Sequence, residues 1–256
     1  MKDIAILLQS RDRPNDFEKV VNMLYDTCSS KTNFDIIAFI DEDQKEIYDY
    51  IKFLHPDITW IYPEHLPGSW YNLVKAQHNF VKNNNYYFAW ILTDDFWGLS
   101  KDWDIDILNK KHYFKDDVFT MHQSKDKCHG RFQWIFENSY IVDDMDDSVS
   151  ILAHCELLPI HTKKWLELMS PVFEEDNYTS QQELIAASLV LLLKRRFNMN
   201  RIVKCDLSWD NLQDSKGSEV ILNSNGDNRT LAFKKLSQNW SDLEPVLENM
   251  LKEIKQ

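Results

Sequence analysis

Four apolar runs alternate with helical patterns over the first hundred residues, and this alternation constrains the fold more than any other feature. "IAILLQS" (4–10), "FDIIAFID" (34–41), "ITWIYP" (58–63) and "YYFAWILT" (86–93) are continuous apolar runs of strand length. "NDFEKVVNMLYDTCSS" (15–30) carries Phe17, Val20, Val21, Leu24 and Tyr25 at helical spacing, with Asn15 or Asp16 available as its cap. "QKEIYDYIKFLH" (44–55) puts Ile47, Tyr50, Ile51 and Leu54 on one helix face, and "SWYNLVKAQHNFVKN" (69–83) reads as a third helix. Strands that are apolar on both faces and separated by helices imply a mostly parallel sheet covered on both sides, joined by right-handed crossovers.

The second half is less regular. Strands are expected at 117–124, within 150–170 ahead of a short helix, and at 201–209. An apolar helix is expected at 180–197, a turn at "NSNGDN" (223–228), and a terminal amphipathic helix over 241–256 with Ser241 and Glu244 as its capping box. The acidic stretch around "DDMDD" (143–147) reads as a solvated excursion. With no repeat and no linker, the chain reads as one α/β domain, its regular half at 1–108 and its irregular half at 109–256.

A formal net charge of -12 argues against binding along a nucleic-acid backbone, which needs a basic face. The four cysteines stand far apart, which suggests neither a zinc site nor a disulfide framework and fits a reducing compartment. No apolar run reaches the length of a transmembrane segment, and the expectation is a soluble, cytoplasmic protein. Only five glycines occur, which leaves no room for a glycine-rich phosphate loop.

In an open parallel sheet, ligands bind beyond the carboxyl ends of the strands. Three groups fall there: Ser10, Arg11 and Arg13 after the first strand, Asp41, Glu42 and Asp43 after the second, and Asp94 and Asp95 after the fourth. Guanidinium groups fork onto phosphates, while carboxylates bind ribose hydroxyls or hold a divalent cation. Together they suit a nucleoside diphosphate with a metal bridging its phosphates. Each group alone also has a plainer reading as a turn, a helix cap or a surface ion pair.

The order and spacing of three stretches resemble GT-A fold nucleotide-sugar glycosyltransferases of the family 2 type. "LLQSRDRPNDFEKVV" is similar to their opening strand, Ser or Thr, Arg-x-Arg-Pro and helix. "IIAFIDEDQ" resembles the second strand, whose terminal acids approach base and ribose, and "WILTDDFWGLSKDWD" resembles the metal-binding DxD region with its later Trp-Asp, here Trp103-Asp104. The resemblance covers residues 4 to 108 and implies a GT-A fold with an acceptor-binding C-terminal half. It further implies transfer of a sugar from a UDP- or GDP-linked donor to a hydroxyl acceptor, with Mn2+ or Mg2+. By the same resemblance, Asp95 and Asp94 are the metal ligands, and Ser10, Arg11, Arg13, Asp41, Asp43, Asn72, Lys75 and Asp94 contact the donor. A strict DxD spacing is missing, since Thr93 or Phe96 fills one of its ends. The late His that many relatives add as a metal ligand is also missing, and Asp206 or Asp210 are the substitutes.

An inverting transferase needs a carboxylate base, and the candidates are Asp176 and Glu183, with Glu174 and Glu175 beside them. Trp70, Trp97, Trp103 and Trp134 are candidate sugar platforms. A nucleotidyltransferase is a weaker reading, because "SRDRP" stands where a glycine-rich signature would be. A non-catalytic nucleotide-sugar or carbohydrate-binding module on the same fold is the alternative.

Overall fold

The computed structural model describes residues 2–66, 71–114, 120–123, 160–163, 202–205, 210–211 and 245. Strands β1 (Ile4–Ser10), β2 (Phe34–Ile40), β3 (Thr59–Ile61) and β4 (Phe88–Thr93) alternate with helices α1 (Pro14–Thr27), α2 (Asp49–Leu54) and α3 (Tyr71–Asn83). A two-residue strand β5 (Phe96–Trp97) and helix α4 (Trp103–Asn109) follow, then β6 (Thr120–Gln123), β7 (Ile160–Thr162), β8 (Ile202–Cys205) and β9 (Asp210–Asn211). The main sheet has the order β3-β2-β1-β4-β7-β6-β8, and β5 pairs with β9 apart from it. β1 runs parallel to both β2 and β4, with Ile4 level with Phe34 and with Phe88. β7 is antiparallel to β4 and to β6, and β6 is parallel to β8. This is the mostly parallel α/β architecture that the alternating pattern predicts.

Both faces of the parallel part are covered. Ile4, Ile6 and Leu8 of β1, Ile36 and Ala38 of β2, and Trp90 and Leu92 of β4 form one core with Phe17, Val20, Val21 and Leu24 of α1 and Trp103 and Ile107 of α4. The alternate residues Ala5, Leu7, Ile37, Phe39, Ala89 and Ile91 are buried as well. On that side Phe39 meets Phe80 of α3 edge-on, with ring centroids 6.2 Å apart. Full burial on both faces explains why these strands read as unbroken apolar runs.

Two local expectations are corrected. Neither Asn15 nor Asp16 caps α1. The helix begins earlier, with Arg13 at the cap position and Pro14 in the first turn, where a missing N–H costs nothing. The second helix opens as a 3-10 helix over Glu42–Tyr48 before it becomes α2. Tighter winding turns Tyr48 and Ile51 inward, three residues apart, and both are buried. Of the face expected to pack, Ile47, Tyr50 and Leu54 remain 44%, 42% and 54% exposed.

In the second half, β6, β7 and β8 lie within the stretches expected to hold strands. The expected helix at 180–197, the turn at 223–228, the acidic stretch at 143–147 and the terminal helix, apart from the helical Pro245, lie outside the described residues. Among the described residues, no helix is long and apolar enough to cross a membrane.

Candidate functional site

The chain leaves β1 in one direction to build β2 and β3, then returns to place β4 on the other side of β1. This reversal opens a crevice at the carboxyl ends of β1 and β4, where ligands of open α/β sheets bind. Ser10 ends β1, and its Oγ donates to Asp94 Oδ2 just past β4 at 2.6 Å. Tyr48 Oη lies 2.6 Å from the same Oγ. Because the Ser10 proton is committed to the carboxylate, Tyr48 is the donor in that second bond. The Arg13 backbone N–H donates to Tyr48 Oη at 3.3 Å, completing a relay of aligned donors that ends on Asp94.

Asp94 is only 5% exposed. Burial pushes its carboxyl up to about 6, while the Ser10 hydrogen bond and the Arg13 guanidinium, Nη1 at 3.4 Å from Oδ1, pull it back, and Asp95 adds repulsion. Asp95 beside it is half-buried and accepts a hydrogen bond from Thr93 Oγ1. Two adjacent carboxylates, one buried and with an incompletely compensated charge, form a site short of positive charge. An all-oxygen donor set of this kind fits a hard divalent cation.

A second cluster lies at the end of β2. Arg11 Nη1 donates to Asp41 Oδ2 and to Asp43 Oδ1, each at 2.8 Å, and Nη2 donates to Asp43 Oδ2 at 2.8 Å. Its Nε lies 3.6 Å from Asp12 Oδ2. Hydrogen bonds from Arg11 hold the Asp43 carboxyl below the usual carboxylate range. His65 Nδ1, in the loop after β3, lies 3.0 Å from Asp41 Oδ2. Asp41, Asp43 and His65 present ligand atoms within 4.8 Å of one another and could hold a metal. There, however, the Arg11 guanidinium already satisfies the carboxylate oxygens that a cation would need. Asp94 meets a guanidinium only through the longer Arg13 contact at 3.4 Å, and no guanidinium meets Asp95 among the described residues, which makes this pair the better candidate metal centre.

Of the residues expected at the donor site, Ser10, Arg13 and Asp94 are thus joined directly, and Arg11, Asp41 and Asp43 form the neighbouring cluster. Asn72 Nδ2 donates to the Glu64 carbonyl at 3.0 Å, which ties the first turn of α3 to the loop carrying His65. Lys75 lies one turn farther along α3 and is half-buried. Asp210 stands opposite Trp97 in the β5–β9 ladder, so the backbone brings it close in register to the carboxylate pair. Asp176, Glu183, Glu174, Glu175, Asp206, Trp70 and Trp134 lie outside the described residues.

Trp103 and Asp104 do not belong to the crevice. Trp103 is fully buried in the core, and its Nε1 donates to the Leu24 carbonyl at 3.3 Å. Asp104 accepts from the Ser29 and Ser30 backbone N–H groups at 2.7 and 3.0 Å and from Asn33 Nδ2 at 2.7 Å. Those residues precede β2, at the opposite end of the sheet. Sequence reasoning also missed Tyr48 and His65. Tyr48 is hidden because a 3-10 start shifts the helical face. His65 follows a strand of three residues in "YPEHLP" and carries no spacing signal.

The pH behaviour of Asp94 is testable. A carboxyl raised in the folded chain binds its proton there more readily than in the unfolded chain, so its stability cost grows as pH rises from the ordinary carboxylate range through about 6. Relative to wild type, Asp94→Asn is expected to gain stability across that window and to keep the gain above it. Mn2+ at neutral pH is expected to raise the unfolding midpoint of wild type more than that of Asp94→Asn. Thermal unfolding at several pH values, with and without Mn2+, measures both effects.

No protein-family model and no curated protein matches the chain. The fold has solved counterparts. It is similar to S. aureus TarS residues 1–349 in complex with UDP, at a TM-score of 0.56 and 15% identity over 82% of this chain and 59% of that one. It is similar to the same TarS fragment in complex with UDP-GlcNAc, at 0.53 and 14% over 82% and 57%. Glucosyl-3-phosphoglycerate synthase from Mycobacterium tuberculosis, crystallised with Mn2+, UDP and glucosyl-3-phosphoglycerate, matches at 0.53 and 10% over 92% and 78%. The chain therefore spans less than two thirds of the TarS chains it matches. With the sheet order, the crevice at its switch point and these counterparts together, the chain has the GT-A fold of nucleotide-sugar glycosyltransferases.

Proposed function

We propose that the chain is a metal-dependent glycosyltransferase that moves a sugar from a UDP- or GDP-sugar to a hydroxyl acceptor. The observation that carries this reading is the junction of Ser10, Arg13 and Asp94 beside Asp95 at the switch point of the sheet. The crevice divides by charge. Arg13, with a side chain 55% exposed, is the cation placed to meet a diphosphate. The Arg11 cluster sets three carboxylates against one guanidinium, which suits ribose hydroxyls and a neutral base rather than phosphate. Lys75 of α3 is a further cation for the diphosphate, and Asn72 holds the loop after β3 beside the donor. Asp94 and Asp95 would hold Mn2+ or Mg2+, which on binding would neutralise charge developing on the leaving diphosphate. In the reaction, the acceptor oxygen bonds to the anomeric carbon as the bond to the donor phosphate breaks. A carboxylate takes the acceptor proton, and Asp176 and Glu183 are the candidates.

Calorimetric titration of UDP and GDP, each with and without Mn2+, tests this reading. Cation-dependent binding of one nucleotide, with slow hydrolysis of the matching nucleotide-sugar, is the expected result. Binding of neither would overturn it. Binding without turnover would favour a nucleotide-sugar-binding module, a reading supported by the complete engagement of Arg11 with Asp12, Asp41 and Asp43.

A further inference from the structure

We infer that His65 selects the base of the donor nucleotide, accepting a ring N–H from uracil or guanine and discriminating against cytosine and adenine. The inference rests on the donor-site reading above and adds a residue to it. His65 is fixed from three sides. Pro63 O accepts from the Glu42 backbone N–H at 2.9 Å, which pins the loop after β3 to the end of β2. Asn72 of α3 holds the Glu64 carbonyl at 3.0 Å. The ring itself meets Asp41 Oδ2 at 3.0 Å, the oxygen that also accepts from Arg11 Nη1 at 2.8 Å.

That last contact sets the chemistry of the ring. A carboxylate paired with a guanidinium is ionised and can only accept, so Nδ1 carries the proton. In the neutral ring Nε2 is then an acceptor. Nothing else bonds the ring among the described residues, and the side chain is 26% exposed, buried enough to be held and open enough to be reached. The loops after β1, β2 and β3 thus converge on one buried carboxylate and present one imidazole lone pair. Its surroundings carry more carboxylates than guanidinium, so a phosphate is repelled and a neutral base is admitted. Uracil N3 and guanine N1 carry hydrogens, whereas cytosine N3 and adenine N1 carry lone pairs that would face the lone pair of His65, and the exocyclic amines of those two bases, which can donate, stand one ring position away from the point where a ring N–H would meet it. A site built around one hydrogen bond rejects the ligand that cannot make it, because both partners stay unpaired.

The experiment is calorimetric titration of UDP, GDP, CDP and ADP in Mn2+ at about pH 8, above the ordinary histidine range, on wild type, His65→Ala and His65→Gln. Wild type is expected to favour UDP or GDP over CDP and ADP by at least about tenfold. His65→Ala is expected to cut that preference to within about threefold, and His65→Gln, whose amide can both donate to Asp41 and offer an oxygen, to recover part of it. A preference unchanged in His65→Ala, or equal binding of all four nucleotides by wild type, would overturn the role of His65 while leaving the donor site standing. Failure of wild type to bind any of them would overturn the donor-site reading and this inference together.

Discussion

Asp95→Ala is expected to weaken UDP or GDP binding in Mn2+ by roughly 100-fold, about 2.7 kcal/mol, and to leave cation-free binding nearly unchanged. Asp95 is half-buried and its hydrogen bond is to Thr93 of the same turn, so its removal frees one hydroxyl that can turn to water. The strand end and the Ser10–Asp94 bond do not depend on it. A loss confined to the cation-dependent part of binding therefore reports on the metal and not on folding. Asp43→Ala is the control. Cation dependence that survives Asp95→Ala but disappears in Asp43→Ala would move the ion to the cluster of Asp41, Asp43 and His65.

The largest effect on stability is expected far from the crevice. Asp104 is fully buried and accepts three hydrogen bonds. It lies in the first turn of α4, where Asp102 N donates to the Thr27 carbonyl at 2.7 Å and joins the helix to the end of α1. Asp104→Ala removes three hydrogen bonds to a buried carboxylate and leaves donors of the partly exposed Ser29–Asn33 turn without it, at a cost of roughly 3–5 kcal/mol. For a chain of this size that corresponds to a fall of about 10 °C or more in Tm. Asp104→Asn keeps one acceptor oxygen and is expected to recover part of the loss. Thermal unfolding of the two variants measures the difference, and an unchanged midpoint in Asp104→Ala would mean that these bonds contribute little. Nucleotide affinity of the folded fraction is expected to match wild type in both.

The sequence makes the nucleotide-binding half legible because burial on both faces leaves a one-dimensional trace. Ile4 to Leu8 and Phe88 to Leu92 are apolar at every position for that reason. The strand-end position of Ser10, Arg11, Arg13, Asp41, Asp43, Asp94 and Asp95 follows directly from the strand boundaries. What each residue bonds to is not legible, since it depends on strand order. Only when β4 returns beside β1 does Ser10 meet Asp94, 84 residues away. Trp103-Asp104 shows the opposite failure. An acidic residue shortly after the carboxylate pair reads as part of the same site, yet α4 carries it to the other end of the strands, where its partners are backbone amides. Tyr48 is missed because apolar spacing cannot distinguish 3-10 from α winding over one or two turns.

The position of β1 in the middle of the sheet also has a consequence for synthesis. Its partner on one side, β2, follows within a few dozen residues, whereas its partner on the other side begins 84 residues after it. At about 5–20 residues per second, the ribosome takes roughly 4–17 seconds to make that stretch. Throughout that interval the strongly apolar β1 of the nascent chain has an unfilled edge of backbone donors and acceptors, the geometry that invites pairing with another chain. Slow translation upstream of Phe88 should therefore lower the soluble yield of this protein, and chaperone capture of the nascent chain should be strongest just before β4 emerges.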